Sequence, residues 1–133
     1  MTLRLVRIDN RLAALLERDR HAFEAAVGGS AGGSGAAIGG ILRQTLAMPG
    51  AAPADQPWGG YLAVDDERAG GTIIGTCAFT GPPAAEGAVE IAYHTFPGFE
   101  GRGHASRMAE QLVAIARGCA TVQSIIAHTL PAP

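Results

Sequence analysis

Three glycines and an arginine stand just ahead of a run at helical spacing in Gly98–Leu112, GFEGRGHASRMAEQL. The start of a helix offers N–H groups without an intrahelical acceptor, together with a partial positive charge, and both suit an anion. Glycine lets the backbone come close to such an anion and take positive φ where the turn needs it. Just upstream, VEIAYHTF puts Glu90, Ala92 and His94 at alternating positions, on one face of any strand that forms there. A carboxylate at Glu90 serves as a general base if burial lifts its pKa toward about 6–7. On an exposed strand end it is only a solvated charge. A plain loop ahead of a helix is the competing reading of the glycines.

The composition narrows the ligand. All ten basic residues are arginine and lysine is absent, which excludes a Walker phosphate loop and lysine Schiff-base chemistry. A dinucleotide fingerprint needs three spaced glycines and an acidic residue about 20 positions on. Here Gly101 and Gly103 supply only two of the glycines, and no Asp or Glu follows Glu110. The net charge of -2 and a pI near 6.0 speak against a nucleic-acid or membrane-surface partner. Cys77 and Cys119 have no metal-type spacing and are too few for a secreted framework, so no metal site is expected. The N-terminal stretch is charged throughout, without a signal-like apolar region, and a cytoplasmic protein is expected.

At 133 residues the chain reads as one domain, able to bury about two thirds of its unfolded surface. Thr2–Asp9 reads as a first strand. Asn10 can cap a helix carrying Leu12, Leu15, Leu16, Phe23 and Val27 at helical spacing, ended by Gly28–Gly29. Gly28–Gly40 reads as a flexible glycine-rich loop, followed by a short helix, Ile41–Met48, and a Pro/Gly-rich turn. YLAVDD, GTIIGTCAFTG and AVEIAYHTF are three strands of an antiparallel meander, with Cys77 as core filler. The helix after Pro97 presents Ala105, Met108, Leu112 and Ile115, and Val122–Leu130 reads as a buried last strand. A strand–helix–strand of this size forms a right-handed parallel crossover, which sets the glycine turn where α/β proteins bind anions.

This order resembles the GNAT superfamily of N-acetyltransferases. The family's acetyl-CoA motif is Gln or Arg, two residues, Gly, one residue, then Gly or Ala. Glu100-Gly101-Arg102-Gly103-His104-Ala105 matches it at Gly103 and Ala105, and VEIAYHTFPGF is similar to the family's fourth strand. The resemblance implies an α/β fold with a mixed central sheet, antiparallel through strands 1–4 and parallel between strands 4 and 5, flanked by helices. It implies acetyl-CoA as cosubstrate, its pyrophosphate on the backbone of Gly101, Arg102, Gly103, His104, Ala105 and Ser106. The pantetheine arm would pair with His94, Thr95 and Phe96, and an N–H near His94 would polarise the thioester carbonyl. Glu90 matches the glutamate that acts as base in one branch of the family, so the expected reaction is direct acetyl transfer to a primary amine in a ternary complex.

Two departures carry expectations of their own. Glu100 stands where the family has Gln or Arg, and a carboxylate close to a bound pyrophosphate is repelled by about 1–4 kcal/mol at 4 Å. The sequence also ends where the family continues into a further helix and strand pair, so Tyr61 and Tyr93 fall outside the position of the family's proton-donating tyrosine, and His128 is the remaining stand-in. An exposed last strand is an association hazard, and a homodimer covering it is expected. The rival reading is a shortened, inactive GNAT-like module that acts by association.

Overall fold

The computed structural model describes residues 3–47, 56–67 and 70–128. Five strands form one sheet in the order β1 (Leu3–Arg7), β2 (Gly60–Asp65), β3 (Thr72–Phe79), β4 (Ala88–Thr95) and β5 (Ser124–His128). The first four are antiparallel neighbours, and β4 and β5 run parallel, as the crossover requires. Helices α1 (Asn10–Arg18), α2 (Arg20–Val27) and α3 (Gly35–Ala47) lie between β1 and β2, and α4 (His104–Arg117) joins β4 to β5.

Alternation along the strands gives each face of the sheet its own apolar set. On one face Met108, Leu112 and Ala116 of α4 bury against Ala63, Ile74, Phe79 and Ile91. On the other, Phe23, Val27, Ile38 and Leu42 of α2 and α3 bury against Leu62, Val64, Ile73 and Phe96. Each fully buried Leu, Ile, Phe or Met contributes about 1.5–3 kcal/mol, so these two layers fix where α4 begins. Cys77 belongs to the α4 layer, and burial pushes its thiol up to about 12, which leaves it an inert core group.

Three local expectations are corrected. The single helix after β1 is two helices, because Asp19 interrupts it and its carboxylate accepts the N–H groups of His21 and Ala22 to start α2. Asp9, not Asn10, caps α1, accepting from Leu12 N–H at 2.9 Å. The glycine-rich stretch is no loose loop, since α3 already starts at Gly35. Ile38 and Leu42, four residues apart, bury one face and outweigh the low helix propensity of Gly39 and Gly40. The expected end of that helix at Met48 and most of the following Pro/Gly-rich turn lie outside the described residues.

The last strand differs from its expected burial. Among the described residues β4 is the one strand beside β5, and Ile126 is 49% exposed.

Candidate functional site

β4 delivers one end of the site, and its hydrogen-bond register decides what it presents. Thr80 N–H donates to Glu90 O at 2.9 Å and Phe96 N–H to Ile74 O at 2.8 Å. Antiparallel pairing makes these directions alternate, so the main-chain groups of Glu90, Ala92, His94 and Phe96 face β3. A Cβ on Gly75 would meet His94 O at 2.3 Å, so β3 and β4 approach this closely only because residue 75 is glycine. The main-chain groups of Ile91, Tyr93 and Thr95 therefore face the other side. There β5 pairs as far as Ala92–His128. Beyond that pair, among the described residues, the Tyr93 carbonyl and the main chain of Thr95 line an open edge of β4, the Tyr93 N–H belonging to the last parallel rung with β5.

That register corrects one expectation. Of His94, Thr95 and Phe96, only Thr95 turns its main chain to the edge where an extended group could add. The residue missed is Tyr93, and its signal is the two-residue alternation itself, whose phase depends on the pairing with β3. Phe96 is fully buried beneath α2 and α3, and its ring meets that of exposed His94 edge-on, with centroids 5.9 Å apart.

Side chains alternate too. Val89 and Ile91 point into the α4 layer, which puts Glu90 and His94 on the opposite face. Glu90 is half-buried and pairs in register with Ile126 of β5. It lies five residues, about 16 Å, along β4 from Thr95.

The other end is the glycine turn. Gly98, Gly101 and Gly103 have φ of 93°, 75° and 81°, with no atom within 4 Å of where a Cβ would stand. The surface over the turn is thus open, and the conformation itself demands glycine. Gly103 caps α4 without a side-chain hydrogen bond, and the first intrahelical bond runs from Arg107 N–H to Gly103 O at 3.2 Å. Ala105 and Ser106 consequently have no acceptor within the helix for their N–H groups. Arg102, one residue before the cap, is exposed. Glu100 turns back, its Oε1 accepting from Gly98 N–H at 3.1 Å, so the carboxylate expected to repel a pyrophosphate is engaged in the turn itself. These residues fit a phosphate-bearing ligand: two unpaired amides, a helix's positive end, an open surface and one cation.

His104 is the exception among the expected ligand contacts. Its ring is buried under the turn, with Nε2 4.0 Å from Oδ2 of Asp65, so only its main chain lies at the surface of the cradle. The side chain of His128 lies outside the described residues. Among the described residues no group of three or more His, Cys, Asp or Glu could hold a metal ion, and no helix is long and apolar enough to cross a membrane.

Comparison with known proteins bears on this arrangement. No curated protein matches the chain in sequence at a significant level. Among solved structures, the chain is similar to RimL, a ribosomal L7/L12 α-N-protein acetyltransferase, at a TM-score of 0.58 and 14% identity, covering 96% of this chain and 67% of that one. It is also similar to a ribosomal-protein-alanine N-acetyltransferase from Brucella melitensis biovar Abortus 2308, at a TM-score of 0.54 and 15% identity, covering 99% and 81% of the two chains. At these identities the likeness is one of fold. The model of the acetyltransferase (GNAT) domain matches residues 3–132, nearly the whole length. Sheet order, glycine turn and family model agree: the chain belongs to the GNAT acetyltransferase family.

Proposed function

We propose that this protein is an acetyl-CoA-dependent N-acetyltransferase that moves an acetyl group to a primary amine by direct attack in a ternary complex. The observation that carries this reading is the uncapped start of α4, set beside the β4 edge that β5 leaves open. The amides of Ala105 and Ser106 hold the diphosphate, and Arg102 adds a charge-assisted contact. The edge of Tyr93 and Thr95 receives the extended arm, and an N–H on that edge stabilises the charge that develops on the thioester oxygen.

An ammonium has no lone pair, so Glu90 takes a proton from the incoming amine, directly or through water. The amine nitrogen bonds to the acyl carbon, the carbon–sulfur bond breaks, and the thiolate leaves and collects a proton from solvent. Turnover of acetyl-CoA against a panel of small amines and peptide N-termini tests the reading. Glu90→Gln should lower kcat by about 10²–10⁴-fold with little change in acetyl-CoA affinity. Equal turnover by that variant removes Glu90 from the mechanism. Binding of acetyl-CoA without turnover of any amine would favour the inactive association module.

The same reading includes a second copy of the chain over β5. Ile126 is exposed on one side of this strand, and an open groove lined by Val113, Val122 and Ile125 lies between it and α4 on the other. Light scattering at micromolar concentration should give twice the monomer mass, and Ile126→Asp should halve it.

A further inference from the structure

Asp65 and His104 are the two polar residues buried among the described ones, at 5% and 2% exposure, and they meet each other. Asp65 ends β2, and its Oδ1 accepts from Glu67 N–H at 3.0 Å. His104 opens α4, and its Nε2 lies 4.0 Å from Oδ2 of Asp65. Asp65 serves the turn after β2 through that bond, whereas the packing around residue 104 is that of an apolar stripe. The buried residues that follow His104 on α4 are Met108, Leu112 and Ala116, and those that precede Asp65 on its face of β2 are Tyr61 and Ala63. Leucine at 104 would extend the apolar stripe and avoid the desolvation of an imidazole. His104 also immediately precedes Ala105 and Ser106, whose amides open the helix.

We propose that His104 is a positioning residue whose protonation is coupled to an anionic diphosphate at the first turn of α4, with Asp65 as its fixed counter-charge. The proposal rests on the acetyl-CoA reading above. Burial and the positive end of α4 disfavour the imidazolium, whereas Asp65 favours it. A diphosphate against the next two amides adds negative charge within one turn and shifts that balance toward the imidazolium. The charged ring is then drawn to Asp65, which holds the first turn against β2. By reciprocity, the diphosphate takes up protons on binding, and protons tighten its binding. Other ionisable groups close to the pair or on the face that α4 covers are Tyr61 of β2 and Glu67 after it, Cys77 of β3, Tyr93 of β4, Cys119 after α4, and Glu100 and Arg102 of the turn. β1 presents Leu3 and Leu5 there and, at its end, Arg7, whose guanidinium lies 5.7 Å from the centroid of the Tyr61 ring, and β5 presents Ile125.

Dephospho-CoA is the probe, because it keeps the diphosphate but lacks the phosphomonoester that itself titrates near pH 6. Calorimetric titrations between pH 5.5 and 8.5, in two buffers of different ionisation enthalpy, count the protons taken up. Wild type should take up a measurable fraction of a proton, with Kd tightening as pH falls, by up to about tenfold per pH unit. His104→Leu should still melt cooperatively and bind at pH 8.5 but lose both the uptake and the slope. Asp65→Asn should reduce them, which keeps the proposal testable should the His104 variant fail to fold. Wild-type binding without proton uptake overturns the proposal alone, and so does a slope that survives in His104→Leu and vanishes in His94→Gln. Absence of any CoA binding by the wild type overturns the acetyl-CoA reading, and this inference with it.

Discussion

Between Gly28 and Gly40 the chain carries seven glycines, and between Gly98 and Gly103 it carries three. In the first stretch Gly28, Gly29 and Gly35 serve close contact, a Cβ on each falling within 3.2 Å of Arg4, Val64 or Arg20. Arg4 donates to Val27 O and Gly28 O and also pairs with Asp66, while Ser30 N–H bonds Gly71 O and Ile73 N–H bonds Ser30 O. A Cβ on Gly29 would meet Val64 at 2.9 Å, and Glu24 accepts from Ala31 N–H at 2.7 Å. In the second stretch no atom approaches the glycines, and what they provide is backbone conformation beneath an open surface. Similar composition therefore produces a pinned junction in one place and, in the other, an open-surfaced turn, the one we propose as the ligand cradle. What separates them is which residues lie opposite.

Four changes would break or sharpen that contrast. The largest effect is expected at Gly71, whose φ is +79° and whose Cβ would lie 2.4 Å from Gly28 O. Gly71→Ala should cost about 2–4 kcal/mol of stability in chemical denaturation, from backbone strain and the clash together. Gly103→Ala should cost only about 1–2 kcal/mol of stability, but it should raise the Kd for acetyl-CoA about tenfold, because the amides it re-aims are those of the cradle. A Gly71 variant that folds and binds acetyl-CoA normally, beside a Gly103 variant that binds poorly, would establish the division of labour.

The third change tests the pinning by pH. The hydrogen bond from Ala31, with help from Arg20, holds Glu24 below its ordinary value of 4.5. A lowered carboxylate contributes stability above its unfolded pKa and loses it as pH falls through the folded value. Glu24→Gln should therefore cost about 1 kcal/mol at pH 7 and flatten the acid side of the stability curve below about pH 4.5. Equal acid sensitivity in the variant would place that slope elsewhere. The smallest effect is expected at Gly40, inside α3 with no atom within 4 Å of a Cβ. Gly40→Ala should stabilise the protein by about 0.5–1 kcal/mol, opposite in sign to the other three, and a loss in thermal melting would show that the stretch needs its looseness.

Much of the architecture was legible because it is written in short-range pattern. The meander β2–β4, the crossover through α4 and the glycine turn follow from alternation, helical spacing and turn chemistry. What was not legible depends on partners distant in the chain. Gly35–Gly40 is helical because Ile38 and Leu42 find Phe23, Val27 and Leu62, and no local propensity states that. The open edge at Tyr93 and Thr95 depends on the phase of the β3–β4 hydrogen bonds, which a one-residue slip would reverse. His104 reads as a surface ligand until Asp65, 39 positions earlier, is brought beneath it. The correspondence of Glu100 to a Gln or Arg position hid a local role, its carboxylate closing on Gly98.

One further contact governs when the cradle exists at all. The side-chain amide of Gln111, on α4, donates to Leu3 O, joining residues 108 positions apart, and Leu3 in turn sits opposite Asp65 in β1–β2 pairing. The β2–β4 meander closes through much shorter connections, so its loop-closure cost is smaller than that of docking β1 and α4 together. On the proposed reading, an anion held at the first turn of α4 favours chains in which β1 and α4 have docked. Bound ligand should slow amide exchange in β1, at the opposite end of the sequence, as much as in the turn it touches.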